Sequence, residues 1–322
     1  LVFDLTGSRM QLTEAGVATY SGTIGPVQSF PAIASGMVLS ALSGMRSGGE
    51  LIPAVFQYGG WEVDGSYSRR LWVGFPGLEE NPWRTAEEIW GPGAGDAPLM
   101  INHKMLHDAR MQRLVIIGDL LVQETPRPIF LPDQMVVFDL ENGQWLHVGG
   151  FPVPRISIFS ITVDELRNRA VMVGPGFAPY PDTKVYGLDL FTLKTAEIPA
   201  TLSEHGPFEL KRHGAYLEPV QQALYVYGGE DINGPSSKAF KLDLKTGRWI
   251  YLGDGAEGPG EREEPFVSYD RVTDTLWISG GIGGPVESDG VVFWGHRDGG
   301  WIKRKTLQIT DRDDWRVEAV FD

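Results

Sequence analysis

A segment that recurs at a fixed spacing constrains the fold of this chain more than any other feature. Its fullest copy starts at Arg212 and reads His213-Gly214-Ala215-Tyr216-Leu217, then Leu224-Tyr225-Val226-Tyr227-Gly228-Gly229, then Phe240-Lys241-Leu242-Asp243-Leu244-Lys245-Thr246-Gly247-Arg248-Trp249-Ile250. The first two runs are apolar and β-prone, the Gly-Gly pair ends the second, and Lys245-Thr246-Gly247 supplies a turn before a last strand. Trp249 lies twice 52 residues past Trp145, and Trp301 lies 52 past Trp249, with Glu197 at the position between. Asp139, Asp189 and Asp243 precede the corresponding turns, and the glycine after the second strand recurs at Gly118, Gly174, Gly228 and Gly280. An earlier copy, with insertions, runs through Phe56-Gln57-Tyr58-Gly59-Gly60 and Arg70-Leu71-Trp72-Val73-Gly74. Self-similarity of this length signals stacked supersecondary units, none of which buries its apolar faces alone.

Composition fits short strands and many turns, with 41 glycines and 22 prolines among 322 residues. A formal charge of −14 repels phosphate backbones, so nucleic acid is not an expected partner. The one basic run, Lys303-Arg304-Lys305 after Trp301, reads as a solvated strand face. The absence of cysteine excludes disulfides, thiolate metal sites and cysteine nucleophiles. No Asn-X-Ser/Thr sequon occurs, and no apolar run approaches the ~20 residues that span a bilayer. The start, Leu1-Val2-Phe3-Asp4-Leu5, is neither an initiator methionine nor a signal peptide. A soluble chain is expected, cytoplasmic or bacterial secreted, as one domain of a larger protein.

The repeat, an apolar first strand, a second strand ending in Gly-Gly, a third strand, then a turn and a Trp, resembles the kelch family along nearly the whole sequence. The resemblance implies four-stranded antiparallel blades around a central axis. Physics favours the same solution, because radially stacked blades bury each sheet against the next. The expected fold is therefore all-β: a six-bladed kelch-type β-propeller, with seven blades or an atypical five as alternatives. Five copies span residues 30–97, 98–150, 151–205, 206–258 and 259–307. The sixth is a composite of 1–14 and 308–322, closed by the two termini. In it, Val2 to Met10 matches a third strand, turn and fourth strand, and Val317 to Asp322 matches a first strand, which removes open sheet edges. A second strand is not legible there.

Candidate sites fall between the strands. His103 and His107 have the spacing that holds zinc on a helix, but the register puts them near a first strand, where residues four apart lie about 13 Å from each other. No metal is expected. Arg155, Arg212 and Arg262 each lie just before a first strand, where they could line a channel for an anionic ligand or pair with a neighbouring blade's carboxylate. Acidic loop residues, Glu230-Asp231, Glu261-Arg262-Glu263-Glu264, Glu287 with Asp289, and Asp96, could bind sugar hydroxyls or keep the protein soluble. Aromatics in Pro-containing loops are candidate anchors: Trp83 after Asn81-Pro82, Phe177 and Tyr180 in Phe177-Ala178-Pro179-Tyr180-Pro181, and Pro126-Arg127-Pro128-Ile129-Phe130. Gly281-Ile282-Gly283-Gly284 lacks the Lys-Ser/Thr that a nucleotide loop requires.

What the kelch resemblance implies about function is a non-enzymatic platform for a protein partner, without a cofactor. Such propellers also include copper galactose oxidases, sialic acid mutarotases and the specifier proteins that redirect glucosinolate breakdown. Oxidase chemistry is excluded because its cross-linked cofactor needs a cysteine. A carbohydrate-binding or mutarotase-like propeller is the alternative, through the arginines and acidic loops.

Overall fold

The computed structural model describes residues 9–12, 17–21, 43–47, 50–59, 67–75, 83–95, 97–123, 129–153, 159–175, 183–204, 206–207, 210–231, 233–281, 290–297, 299–308 and 319–320. Most of them form strands, in antiparallel sheets, with two short helices. The chain divides into two compact units: Leu1–Leu12, Thr19–Ser157 and Asp313–Arg316 in one, Thr13–Ala18, Ile158–Arg312 and Val317–Asp322 in the other.

The first strands are β1 (Arg9–Leu12) and β2 (Val17–Ser21). The first unit then holds two four-stranded sheets. One comprises β3 (Ser43–Ser47), β4 (Glu50–Tyr58), β5 (Leu71–Gly74) and β6 (Trp83–Thr85), in that spatial order. Helices α1 (Ala86–Trp90) and α2 (Pro92–Gly95) follow, an excursion the repeat does not predict. Its local cause is a capping box, in which the Thr85 hydroxyl accepts from the Glu88 N–H while the Glu88 carboxylate accepts from the Thr85 N–H. The second sheet comprises β7 (Met100–Asp108), β8 (Arg113–Gln123), β9 (Ile129–Asp139) and β10 (Gln144–Gly150).

The second unit holds three more sheets. The third is β11 (Ser160–Asp164), β12 (Arg169–Pro175), β13 (Thr183–Asp189) and β14 (Thr195–Glu197). The fourth is β15 (Gly214–Glu218), β16 (Ala223–Tyr227), β19 (Lys238–Asp243) and β20 (Arg248–Asp254), with a two-stranded ribbon of β17 (Glu230–Asp231) and β18 (Gly234–Pro235) inserted after the second strand. The fifth is β21 (Phe266–Asp270), β22 (Thr275–Ser279), β23 (Gly290–Arg297) and β24 (Gly300–Gln308). Last comes β25 (Ala319–Val320), which pairs antiparallel with β2, Val17 opposite Val320 and Ala18 opposite Ala319.

The repeat is written into the backbone as a recurring set of left-handed residues. The turn between first and second strands ends on Gln112, Asn168, Gln222 and Asp274, with φ of 47°, 50°, 60° and 52°. An acid precedes each by four residues: Asp108, Asp164, Glu218 and Asp270. The turn between third and fourth strands carries Gly143, Leu193, Gly247 and Gly299 at φ of 64°, 57°, 69° and 78°. Here Asp139, Asp189 and Asp243 each accept, through Oδ1, the N–H groups two and three residues on, which is the turn chemistry short carboxylates favour. Those hydrogen bonds hold the three carboxyls below their usual pKa. The two turns are also tied together: Leu140, Leu190 and Leu244 each donate a backbone N–H to the carbonyl of Gln112, Asn168 and Gln222, at 2.8, 2.9 and 2.9 Å.

Leu193 stands where the other copies have glycine, in a conformation that costs an L-residue roughly 1–2 kcal/mol. Leu193→Gly is expected to raise stability by about 0.5–1 kcal/mol, after the loss of the half-buried side chain's own packing. The midpoint of urea unfolding measures it, and a lowered midpoint would refute the strain.

Within each unit, cores lie between consecutive sheets. In the first unit Ala54, Phe56, Tyr58, Leu71 and Val73 meet Leu114, Ile116, Val136 and Phe138. In the second unit Val171, Val173 and Val185 meet Leu217, Leu224, Val226, Phe240, Leu242 and Trp249. The fourth sheet's Tyr225, Tyr227 and Ala239 likewise meet Val267, Leu276 and Ile278 of the fifth. The recurrent tryptophan fills these seams: Trp145 lies 5.4 Å from the Tyr58 ring and Trp301 lies 5.3 Å from that of Tyr227. Both indoles donate to a backbone carbonyl, of Ala94 and Asp254, at 3.0 Å. The two tyrosine hydroxyls do the same, to Pro98 and to Gly260. The two tyrosines are thereby fully buried and the two tryptophans half-buried, each with its polar atom satisfied, which is the condition for gaining hydrophobic transfer energy from a large ring.

Candidate functional site

Two of the three arginines singled out before the first strands, Arg212 and Arg262, lie in segments that meet at one end of the fourth and fifth sheets. Gly228 and Gly229 end β16 at φ of 69° and 82°, and the chain segments at 211–212 and 262–264 approach them closely. Gly229 donates its N–H to the Arg262 carbonyl at 2.6 Å, and Lys211 and Glu230 exchange both backbone hydrogen bonds at 3.0 and 2.8 Å. Glu264 donates its N–H to the Arg212 carbonyl, and both of these residues are themselves left-handed, at φ of 50° and 51°.

This packing brings Arg212, Arg262, Glu230 and Asp231 together and engages each with a neighbour. Arg212 Nη1 lies 3.0 Å from Glu263 Oε2, and that contact raises the arginine's pKa further. Lys211 Nζ lies 3.4 Å from Glu230 Oε2, and Lys238 Nζ lies 2.9 Å from Asp231 Oδ2. Arg262 donates from Nε to the Pro259 carbonyl at 2.6 Å and from Nη1 to the Gly280 carbonyl at 2.9 Å. Four cations, Lys211, Arg212, Lys238 and Arg262, accompany four carboxylates, those of Glu230, Asp231, Glu263 and Glu264. The cluster is nearly neutral, a geometry that braces one sheet's turn against the next rather than concentrating charge for an anion.

Trp83 lies in β6, half-buried, with its ring against Gly74. Arg155, Phe177 and Tyr180 fall outside the described residues, as do Asp96, Glu287 and Asp289. His103 and His107 sit in β7, the first strand of its sheet, and face the first sheet. The His103 ring lies 5.1 Å from that of Tyr58, with Nε2 3.0 Å from the Tyr58 carbonyl oxygen, and the His107 ring stacks on Phe56 at 5.4 Å. Burial pushes both imidazoles down to about 4. Among the described residues no group of three or more histidines and carboxylates could hold a metal ion, and no helix is long and apolar enough to cross a membrane.

A different feature stands out on the second sheet. The β8–β9 hairpin is longer than its neighbours on either side. Its first strand loses the company of β7 after Leu121, whose N–H donates to the Leu99 carbonyl at 2.8 Å. On the other flank β10 ends at Gly150, opposite Gln134. Among the described residues, β9 before Asp133 has only β8 beside it, Leu131 opposite Leu120, Phe130 opposite Leu121 and Ile129 opposite Gln123, and on β8 Val122 and Gln123 lie past the end of the β7 pairing. Val122, Ile129 and Leu131 are 52%, 47% and 41% exposed there, and Tyr67 meets Phe130 edge to face at 6.4 Å. A run of exposed aliphatics on a paired ribbon is a rigid apolar anchor of the kind that protein surfaces use for recognition.

Sequence reasoning named Ile129 and Phe130 but read them as loop, because Pro126 and Pro128 dominate that stretch. It passed over Val122 and Leu131. The available signal was the pair of apolar runs, Leu120-Leu121-Val122 and Ile129-Phe130-Leu131, on either side of the prolines. No protein-family model matches the chain, and no curated protein matches it.

Proposed function

We propose that the chain is a six-bladed kelch-type β-propeller that serves as a non-enzymatic platform for a protein partner. The recurring left-handed positions, the repeated carboxylate-capped turns and the tryptophan seams support a repeat of stacked four-stranded units. The pairing of β2 with β25 supports a composite unit made from the two ends of the sequence, with β2 lying just beyond the 1–14 span expected for it.

One observation carries the functional reading: the projecting β8–β9 ribbon, whose exposed Val122, Ile129 and Leu131 present apolar area that folding leaves uncovered. The described arginines favour the same reading over a sugar-active propeller, because Arg212 and Arg262 are engaged by Glu263 and by backbone carbonyls.

The test is retention of a partner from an extract of the source cells on immobilised protein. It compares the native chain with the triple variant Val122→Ser, Ile129→Ser, Leu131→Ser. The native chain is expected to retain a defined protein that the variant loses at least tenfold, with an unchanged melting temperature. A glycan-array signal with no protein retained would overturn the platform and favour carbohydrate.

A further inference from the structure

The five sheets each end in a fourth strand with one open edge, a row of N–H and C=O groups that templates pairing with another chain. Four of these edges are protected, each by an identifiable device. Strands β6 and β14 are three residues long. Strand β20 is capped by its own chain: Thr201 bridges to Arg248, donates its N–H to the Gly247 carbonyl at 2.6 Å and accepts from the Trp249 N–H at 3.1 Å. Strand β24 carries Lys303, Arg304 and Lys305 in succession. Among the described residues, strand β10 has none of these protections. It runs seven residues, Gln-Trp-Leu-His-Val-Gly-Gly, without a charge, and α2 meets it at Trp145, whose indole donates to Ala94. A bulge between His147 and Gly149 leaves Leu146 55% and Val148 47% exposed. The same bulge occurs three residues past Trp249 and Trp301, so charge and capping distinguish β10 from the other long edges, not backbone shape.

We infer that the β10 edge is a docking site for an extended segment of a partner protein, which adds to the second sheet as a further strand. This rests on the platform reading and names its partner's chemistry. Main-chain groups select an extended backbone, and Leu146 and Val148 select aliphatic side chains at alternate positions. The surroundings select the flanks: from Ile129 to Gly150 the charged residues are Asp133, Asp139 and Glu141, with no lysine or arginine. The segment therefore carries cations at its ends. A second copy of this chain does not fit, because two β10 strands paired antiparallel would set the Asp139–Glu141 turn of one copy beside Asp133 of the other.

The experiment titrates the full chain with the peptide Lys-Val-Thr-Val-Thr-Val-Lys and with its Glu-flanked counterpart, following heat and backbone amide exchange. The Lys-flanked peptide is expected to bind at least tenfold more tightly than the Glu-flanked one and to protect amides within Gln144–Gly150. Leu146→Lys should weaken it about tenfold, whereas Ile250→Lys, at the same exposed position of the capped β20, should not. Equal binding of the two peptides, or no protection in β10, overturns the inference. Protection of β10 without peptide, rising with protein concentration alongside a dimer in sedimentation, replaces it with self-pairing. If the peptide fails while ribbon-dependent retention of a partner persists, the edge falls and the platform stands.

Discussion

Gly229→Ala is expected to destabilise the protein by about 3–4 kcal/mol, a large share of the 5–15 kcal/mol that typical domains possess. Two independent costs combine at this residue. Its φ of 82° is a conformation that costs an alanine roughly 1–2 kcal/mol. Its missing side chain is the space through which Lys211 approaches: an added Cβ would fall well inside contact distance of the Lys211 carbonyl oxygen and 2.8 Å from His213 Cβ. Neither obstacle is the free end of a flexible chain, so overpacking adds roughly 1–3 kcal/mol. The Gly229 N–H to Arg262 carbonyl bond couples the same spot to the fifth sheet, so unfolding should remain a single step at a lower denaturant midpoint. A loss below 1 kcal/mol would show that the two segments separate more easily than their backbone pairing implies.

Stability is expected to fall steeply as the solution is acidified from neutral to about pH 5, a range in which most ordinary carboxylates are still ionised. His103 and His107 titrate at about 4 in the fold against 6.5 in a model peptide. Protons therefore bind the unfolded chain first. The neutral, buried form contributes its full stabilisation above pH 6.5, and this is lost progressively as the pH drops towards 4. At about pH 5 each ring should have lost about 2 kcal/mol, rising to about 3 kcal/mol near pH 4. His296, also pushed down by burial, acts in the same direction. The turn carboxylates Asp139, Asp189, Asp243 and Asp270 are held below their usual range, so their contribution disappears only at more acid pH, and the two processes separate. Urea unfolding at about pH 7 and about pH 5 measures the loss. His107→Phe, which keeps a ring against Phe56, should roughly halve it. Equal midpoints at the two pH values would show that the imidazoles gain solvent or a partner on protonation.

The strands, the turns and the seam-filling tryptophans were legible because each depends on residues close in sequence. Asp139, Asp189 and Asp243 bond the backbone two and three residues on, and Trp145 and Trp301 recur with the period itself. Less legible were the left-handed turn positions at Gln112, Asn168, Gln222 and Asp274, where the sequence has no glycine to announce them. The helices α1 and α2 were missed although Thr85-Ala86-Glu87-Glu88 spells a capping box, because the repeat suggested strand and loop there. Side-chain partners were not legible at all. Nothing local indicates that Arg212 reaches Glu263, 51 residues away, while Arg262 turns to backbone carbonyls. The same holds for the protection of β20, which comes from Thr201, 47 residues before Arg248.

The tryptophan seams also give assembly a direction in time. Tyr58 of the first sheet waits for Trp145 of the second, and Tyr227 of the fourth waits for Trp301 of the fifth. Each of the five sheets is a meander of strands nearly consecutive in the chain, so pairing closes short loops in microseconds, while a ribosome adds only about 5–20 residues each second. A sheet can therefore complete its pairing as it emerges, but its tyrosine is sealed only seconds later, when the next sheet delivers its indole. Synthesis then works as a ratchet within each unit: the second sheet fastens the first, and the fifth fastens the fourth.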